Sequence, residues 1–312
     1  MKNILVTRNL PSAVIDRLRG AGAVDVYTDG AMPADLLRHR VVDKDALVTM
    51  FTDEVNKALI DAGPKLKVVA NVAVGYNNID VKYARSRNVV ITNTPDVLTA
   101  AVADFTWALI LAITRRLSEG DRLIRRGGWK GWALDFMLGT ELKGKQLGLV
   151  GFGRIARAVA ERAPAFGMRV VYSDVIKVQG PFEQMTIDRL LNTSDVVSVH
   201  VPLTPETRHL IDRRALAKMK RSAYLVNTSR GPVVEETAVA WALQERLIAG
   251  AALDVFENEP AIHPDLLALE NVLLVPHLAS ATTETRTAMA QLAIDNVIAV
   301  LSGRAPLTPV LE

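Results

Sequence analysis

Short aliphatic, β-branched runs recur through the first hundred residues: Ile4-Leu5-Val6, Val24-Asp25-Val26-Tyr27, Ala46-Leu47-Val48-Thr49, Val68 to Val72 and Val89-Val90-Ile91. Runs this short and this continuously apolar read as strands buried on both faces, since a solvated face would impose alternation with polar residues. Between them apolar residues fall at helical spacing, as at Val14 and Leu18 behind Pro11-Ser12, and at Val55 and Leu59 behind Asp53. Strand alternating with helix predicts a parallel α/β sheet.

A longer helical pattern runs from about Thr99, its expected N-cap, to Arg126, with Val102, Phe105, Leu109, Ile113 and Leu117 at steps of three and four. Gly127-Gly128-Trp129 breaks it, and a loop rich in tryptophan and glycine continues to Lys145. A second α/β series opens at Leu147-Gly148-Leu149-Val150, with later strands at Arg169 to Tyr172, Val196 to His200, Tyr224 to Asn227, Gly250 to Leu253 and Val272 to Val275. Thr283 to Leu301 reads as one amphipathic helix, apolar at Met289, Leu292, Val297 and Leu301. No strand follows it, so it is expected to return and pack on the first domain.

Composition supports two cores. The 312 residues exceed the roughly 250 at which single cores stop growing. Apolar residues at 49% and charged residues at 23% exclude a disordered chain. A net charge of +3, with basic residues dispersed, points away from nucleic acid. The chain has no cysteine, which rules out disulfides, thiolate metal sites and cysteine nucleophiles together. The longest apolar run, Phe105 to Ile113, falls far short of the roughly 20 residues of a spanning helix. The expectation is a cytoplasmic protein with no metal site and no membrane partner.

The most informative local pattern is Gly151-Phe152-Gly153-Arg154-Ile155-Ala156, directly behind a strand and opening a helix. The first glycine permits a tight turn, the second lets the backbone approach a pyrophosphate, and the small Ala156 lets helix and strand pack closely. Phosphates would sit at the helix N-terminus, where open N–H groups and the helix dipole favour negative charge. Asp174, 18 residues beyond Ala156 at the end of the next strand, stands where an acid binds the ribose hydroxyls and repels the extra phosphate of NADP. NAD is the expected cofactor, with NADH preferred over NADPH.

Three later segments bring ionisable residues to ends of predicted strands: Asn227-Thr228-Ser229-Arg230-Gly231, Asp254 to Pro260 with Glu259, and Pro276-His277 to Thr282. Ligands of open parallel sheets bind at carboxyl ends of strands, so all three should face the cofactor.

At these residues, and at Asn71 to Asp80 and Asn93 to Thr99, the sequence resembles the D-isomer-specific 2-hydroxyacid dehydrogenase family, in particular its glyoxylate and hydroxypyruvate reductase branch. The likeness spans almost the whole chain with the motifs in family order. It implies two doubly wound parallel-sheet domains: a discontinuous, flavodoxin-like substrate domain (1–98 plus 283–312) and an inserted Rossmann domain (99–282) that binds NAD. It also implies hydride transfer between a nicotinamide and a small 2-hydroxy or 2-keto acid, with Arg230, Glu259 and His277 as the catalytic centre.

The resemblance assigns His277 as the proton donor to the keto oxygen, Glu259 as the partner that orients its imidazole, and Arg230 as the guanidinium that binds the substrate carboxylate, chemistry suited to those side chains. It places Val74 and Gly75 N–H groups at the other end of that carboxylate. Met50 and Phe51 would line the substrate pocket, and Trp132 would reach the site of a partner subunit in a homodimer. Arg154, Ile155, Pro202, Thr207, Thr228, Asp254 and Ala279 would border the cofactor, with Arg230 and His277, and Ala279 replaces the glycine usual in the family. His39, His200, His209 and His263 read as structural or surface residues without matching partners. Two other readings stay open: a short 3-phosphoglycerate dehydrogenase and a non-catalytic, NAD-sensing corepressor-like protein.

Overall fold

The aliphatic runs of the first hundred residues form five parallel strands, β1 (Asn3–Val6), β2 (Ala23–Val26), β3 (Ala46–Thr49), β4 (Val68–Asn71) and β5 (Val90–Thr92), in the order β2-β1-β3-β4-β5. This is the doubly wound, flavodoxin-type order. Successive residues of β1 serve opposite faces: Leu5 joins a core with helices α2 (Ala34–Arg40), α3 (Lys57–Ala62) and α4 (Val81–Ser86), whereas Ile4 and Val6 join one with α1 (Ser12–Arg19). Asn56 caps α3 by accepting the Leu59 N–H at 3.1 Å, so Val55 lies before the helix in a lone bridge to Ile79, and the helical pattern expected from Val55 begins two residues later.

The C-terminal helix Thr283–Leu301 completes this unit. Its Ala290, Ala293, Ile294 and Val297 enter the core that holds Ile4, Val48 and Val68. Complete burial of Ile294 and Val297 contributes about 1.5–3 kcal/mol each, enough to anchor a segment separated from the sheet by nearly two hundred residues. The computed structural model describes residues 1–311, and its chain contacts define two units, Met1–Leu98 with Ala281–Glu312 and Thr99–Ser280.

The second unit is built on seven parallel strands: β6 (Gln146–Val150), β7 (Arg169–Ser173), β8 (Glu183–Gln184), β9 (Val196–Val199), β10 (Tyr224–Asn227), β11 (Gly250–Leu253) and β12 (Val272–Leu274). Their order is β12-β11-β10-β9-β6-β7-β8, which places the switch in winding direction between β6 and β9. The short edge strand β8 is absent from the sequence reading, since two residues carry no periodicity. Helices α5 (Thr99–Thr114) and α7 (Arg154–Arg162) cover one face. The other face is covered by α8 (Ile187–Thr193), α9 (Arg213–Lys218), α10 (Glu236–Gln244) and α11 (Pro264–Leu267). Pro164, which lacks an N–H and cannot continue a helix, falls just after α7 stops at Arg162 and passes into a 3-10 turn, Ala163–Phe166.

The single helix expected from Thr99 to Arg126 is two helices, with α5 itself starting at Thr99. It ends at Thr114, Arg116 adopts a left-handed conformation (φ 55°), and α6 (Leu117–Arg125) begins in a new direction. The Arg116 guanidinium grips Glu119 at 2.6 and 2.9 Å, which holds the corner. The apolar spacing runs through the break, but α6 buries no residue, and Leu117 and Ile124 are exposed. No helix among the described residues is long and apolar enough to cross a membrane.

Candidate active site

Because every strand of the second sheet is parallel, the residues just after β6, β7, β9, β10, β11 and β12 lie along one edge. The glycine turn follows β6, at the switch point. Gly151 has φ 88°, and a Cβ there would meet the His200 carbonyl at 2.9 Å, so both conformation and space require glycine. At Gly153 a Cβ would find nothing within 4 Å, which leaves an open approach to the backbone. No side chain caps α7, so its first-turn N–H groups, beginning at Arg154 and Ile155, keep the orphan donors of a helix start. Asp174, half-buried after β7, accepts the Phe152 N–H at 2.6 Å and the Ile176 N–H at 2.9 Å, which fixes its carboxylate beside the glycine turn. Each oxygen keeps a second lone pair for a diol. The turn and the acid thus fit a dinucleotide on their own geometry. Beside Asp174, Val175 and Ile176 are exposed apolar side chains that the sequence reading passed over. After β9, Pro202 and Thr207 are joined by a Thr207 hydroxyl donated to the Pro202 carbonyl at 2.6 Å.

The loops after β11 and β12 are tied together through Asp254, which is fully buried. Its carboxylate accepts the Leu278 N–H at 2.6 Å and the Ala279 N–H at 3.0 Å, while its carbonyl accepts the His277 N–H at 2.9 Å. Three consecutive amides thus close on one residue. They hold His277 at φ 51°, a left-handed conformation that costs a non-glycine residue about 1–3 kcal/mol. Hydrogen bonds to a charged acceptor contribute about 1.5–3 kcal/mol each, so the clasp outweighs the strain. Burial pushes the Asp254 carboxyl above the usual carboxylate range, against the pull of those N–H donors and of His277. Ala279 is itself buried and is not in the left-handed region, so alanine stands there without backbone strain.

Held this way, His277 presents Nδ1 to Glu259 Oε2 at 2.9 Å. The other Glu259 oxygen accepts the Phe256 N–H at 3.1 Å. Burial raises the Glu259 carboxyl, but His277, the Phe256 N–H and the Arg230 charge together hold it below its ordinary value. Arg230, half-buried after β10, has its own pKa pushed down by burial and supported by Glu259, and its guanidinium donates to the Ser229 carbonyl at 2.8 Å. The turn beneath it is shaped by Asn227, whose side chain accepts from Ser229 N–H (3.0 Å) and hydroxyl (2.8 Å) and donates to the Arg230 carbonyl (3.1 Å). Thr228 is joined to Thr106 of α5 at 3.0 Å. Thr106 gives its proton to the Val102 carbonyl at 2.8 Å, so Thr228 is the donor of that pair and its oxygen remains an acceptor.

In the first unit, Val74 and Gly75 follow β4 in an irregular loop. Three successive carbonyls there are held by the protein: Ala73 by Thr94 N–H (2.8 Å), Val74 by Asn93 Nδ2 (2.8 Å) and Gly75 by Asn71 Nδ2 (2.9 Å). A trans peptide points its N–H opposite its C=O, so the Val74 and Gly75 N–H groups turn together away from those donors. Met50, at the end of β3, is connected to the same loop, since Asn78 Nδ2 donates to the Met50 carbonyl at 3.2 Å and Asn78 Oδ1 lies 3.5 Å from Asn71 Nδ2. Phe51 follows in the turn closed by the Asp53 N–H on Met50 O at 3.1 Å. Trp132 lies in the irregular segment after α6 of the second unit, 80% exposed.

Two of the histidines read as partnerless have partners. His209 Nε2 lies 2.9 Å from Glu257 Oε2, and His200 Nε2 lies 2.8 Å from the Ser198 hydroxyl. Burial pushes the His200 imidazole down to about 4, so it is neutral beside the glycine turn at pH 7. Both partnerships join residues whose proximity comes from the fold or the strand pleat and is not marked by any motif. Asn71 and Asn227 were also missed as functional residues. The available signal was a shared position, the last residue of a buried strand, where an amide side chain organises the turn that follows.

A glycine turn with its acid, and a carboxylate–histidine pair with an arginine, thus share one sheet edge. The family described as D-isomer specific 2-hydroxyacid dehydrogenase, NAD binding domain, matches residues 107–279. The glyoxylate reductase of Korarchaeum cryptofilum is 48% identical over 97% of this chain and 94% of its own length. Among solved structures, a protein from Thermus thermophilus superposes with TM-score 0.95 at 44% identity, covering 99% of this chain and 100% of that one. The NADPH-dependent glyoxylate/hydroxypyruvate reductase of Sinorhizobium meliloti, solved with NADP and malonate, gives 0.90 at 36% identity, covering 99% and 96%. The chain belongs to the D-isomer-specific 2-hydroxyacid dehydrogenases. It is an oxidoreductase of CH–OH groups, a 2-keto acid reductase that uses a nicotinamide dinucleotide.

The depressed Glu259 pKa has a sign that can be checked. A carboxyl held below its ordinary 4.5 stabilises the fold above that pH and loses the contribution as pH falls through the folded value. The Tm advantage of wild type over Glu259→Gln is therefore expected to be full at neutral pH and to shrink below about pH 4.5. A Tm difference that stays constant down to pH 3 contradicts the assignment.

Proposed function

We propose that this enzyme reduces glyoxylate or hydroxypyruvate with NADH, using His277 as acid, Glu259 as its orienting partner and Arg230 as substrate clamp. The observation that carries this reading is the 2.9 Å Nδ1–Oε2 pair on a backbone clasped by Asp254. With Nδ1 engaged by the carboxylate, Nε2 is the nitrogen that delivers the proton to the keto oxygen and recovers it in the reverse direction. Arg230 meets the substrate carboxylate with its planar fork and polarises the carbonyl, lowering the cost of negative charge on oxygen. Val74 and Gly75 N–H groups hold the far carboxylate oxygen, and Met50 and Phe51 line the pocket. The nicotinamide, when bound, supplies the hydride; Gly151, Gly153, Arg154, Ile155, Pro202, Thr207, Thr228, Asp254 and Ala279 hold the dinucleotide.

The choice of NADH rests on Asp174, whose fixed negative charge accepts a ribose diol and repels a 2′-phosphate. The Sinorhizobium relative is NADPH-dependent, so membership in the family does not decide the matter. The working unit is proposed to be a homodimer joined through the second unit. Its α6 and the loop behind it expose Leu117, Ile124, Trp129, Trp132, Leu134 (82%) and Leu138, an apolar surface continuous in sequence, and a second copy would cover it and carry Trp132 toward its partner's substrate. The cytoplasmic location read from the sequence belongs to the same proposal.

Purified protein is expected to oxidise NADH with glyoxylate or hydroxypyruvate, and His277→Ala to lose at least a hundredfold in kcat while its Kd for NADH stays within threefold. Tight NADH binding without turnover on any 2-keto acid would replace the reading with a dinucleotide-sensing one. Asp174→Ala should narrow the NADH-to-NADPH ratio of kcat/KM by at least tenfold; an unchanged ratio removes Asp174 from the ribose. Sedimentation equilibrium should give a dimer for wild type and a weakened one for Leu134→Glu, and a wild-type monomer at micromolar concentration overturns the interface.

A further inference from the structure

Glu259 sits in a loop that is fastened two residues earlier by a pair of glutamates, Glu236 and Glu257. Glu236, in the first turn of α10, is buried, and its carboxylate accepts the Glu257 N–H through Oε1 and the His263 N–H at 2.9 Å through Oε2. Glu257 answers by accepting the Glu236 N–H at 2.8 Å through Oε1, which caps the start of α10, while its Oε2 meets His209 Nε2 at 2.9 Å. Two carboxylates are thus interlocked, each holding the other's backbone. Placing two acids side by side in a buried setting is a costly way to close a loop that apolar packing could close.

The position of the clasp explains the arrangement. The Phe256–Glu257 peptide offers its N–H to Glu236, while the preceding N–H, that of Phe256, holds the Glu259 carboxylate at 3.1 Å. On its other side the same peptide lies against Gly231, where a Cβ would fall 1.8 Å from the Phe256 carbonyl oxygen. Two consecutive peptide planes that meet at the Phe256 Cα therefore join the clasp and the residue that follows Arg230 to the Glu259 carboxylate.

We propose that Glu236 and Glu257, with His209 as the outer arm, are positioning residues that set the Glu259 carboxylate against His277. This inference rests on the proposed roles of Glu259 and His277. Displacing the Phe256–Glu257 peptide shifts the carboxylate that orients the imidazole, and displacements of about 1 Å at a reacting group lower rates by as much as a hundredfold. The dinucleotide turn after β6 lies on a different loop, and Asp254, at the start of the Glu259 loop, is held by its own bonds to the Leu278 and Ala279 N–H groups, so cofactor affinity changes little.

The two acids differ in a way that makes the test specific. Glu236 faces two N–H donors, so an amide at this position would aim its own N–H at one of them. Glu257 faces one N–H and an imidazole whose nitrogens can exchange donor and acceptor roles, so an amide there keeps both bonds. Glu236→Gln is expected to lower kcat at least tenfold with an increased solvent deuterium isotope effect, while Glu257→Gln stays within threefold of wild type. Glu257→Ala should match Glu236→Gln, and all three should keep NADH Kd within threefold and a native circular dichroism spectrum. His209→Ala, on the exposed arm, gives a second measurement should the buried variants fail to fold, with kcat lowered about threefold at unchanged Kd. Equal kcat for Glu236→Gln and Glu257→Gln, or wild-type kcat and isotope effect in His209→Ala where Glu236→Gln does not fold, overturns the proposal. If His277→Ala keeps full turnover, it is the reading of the site that fails; if that variant is dead and the glutamate variants are wild type, only the clasp fails.

Discussion

The buried carboxylate of Asp254 is the constraint on which the loops at the strand ends of the second unit depend. It closes on two amides while its own carbonyl closes on a third, and together they hold a histidine in a backbone conformation it would leave if released. The desolvation that raises its pKa is the cost of that precision. A site built on loops from three strands needs such a tie, because the strands fix only where each loop begins.

Strand order supplies the rest of the arrangement. In a parallel sheet every carboxyl end faces one edge, and the switch between β6 and β9 opens a gap there for the glycine turn. Asp174, Arg230, Asp254 and His277 leave four different strands yet share that edge. The same logic repeats in the first unit, where the loop after β4 turns its amides outward because two asparagines and a threonine N–H occupy its carbonyls. Hydrogen-bond accounting of carbonyls decides where the N–H groups point.

Much of this was legible in the chain. Short β-branched runs are strands wherever both faces are buried, and the fingerprint with its acid carries its own geometry, because turn, helix start and Asp174 lie within one continuous segment. The helix from Thr99 was misread as unbroken since apolar spacing continues past Arg116. Periodicity records which residues are apolar, not whether they are covered, and the residues beyond the corner remain exposed. His209 was set aside because its partner, Glu257, is 48 positions away.

The sequence by itself determined the elements, the dinucleotide turn and the kinds of residue at the strand ends, because these depend on local sterics, burial patterns and side-chain chemistry. Only the tertiary structure decided that Asp254 holds the His277 loop, that the Thr94 N–H and the Asn93 side chain aim the Val74 and Gly75 amides, and that Glu236 and Glu257 interlock beneath Glu259. Each of these is a hydrogen bond between segments far apart in the chain or a backbone direction set by such a bond. A single sequence records the donors and acceptors but not which of them the strand order brings within 3 Å.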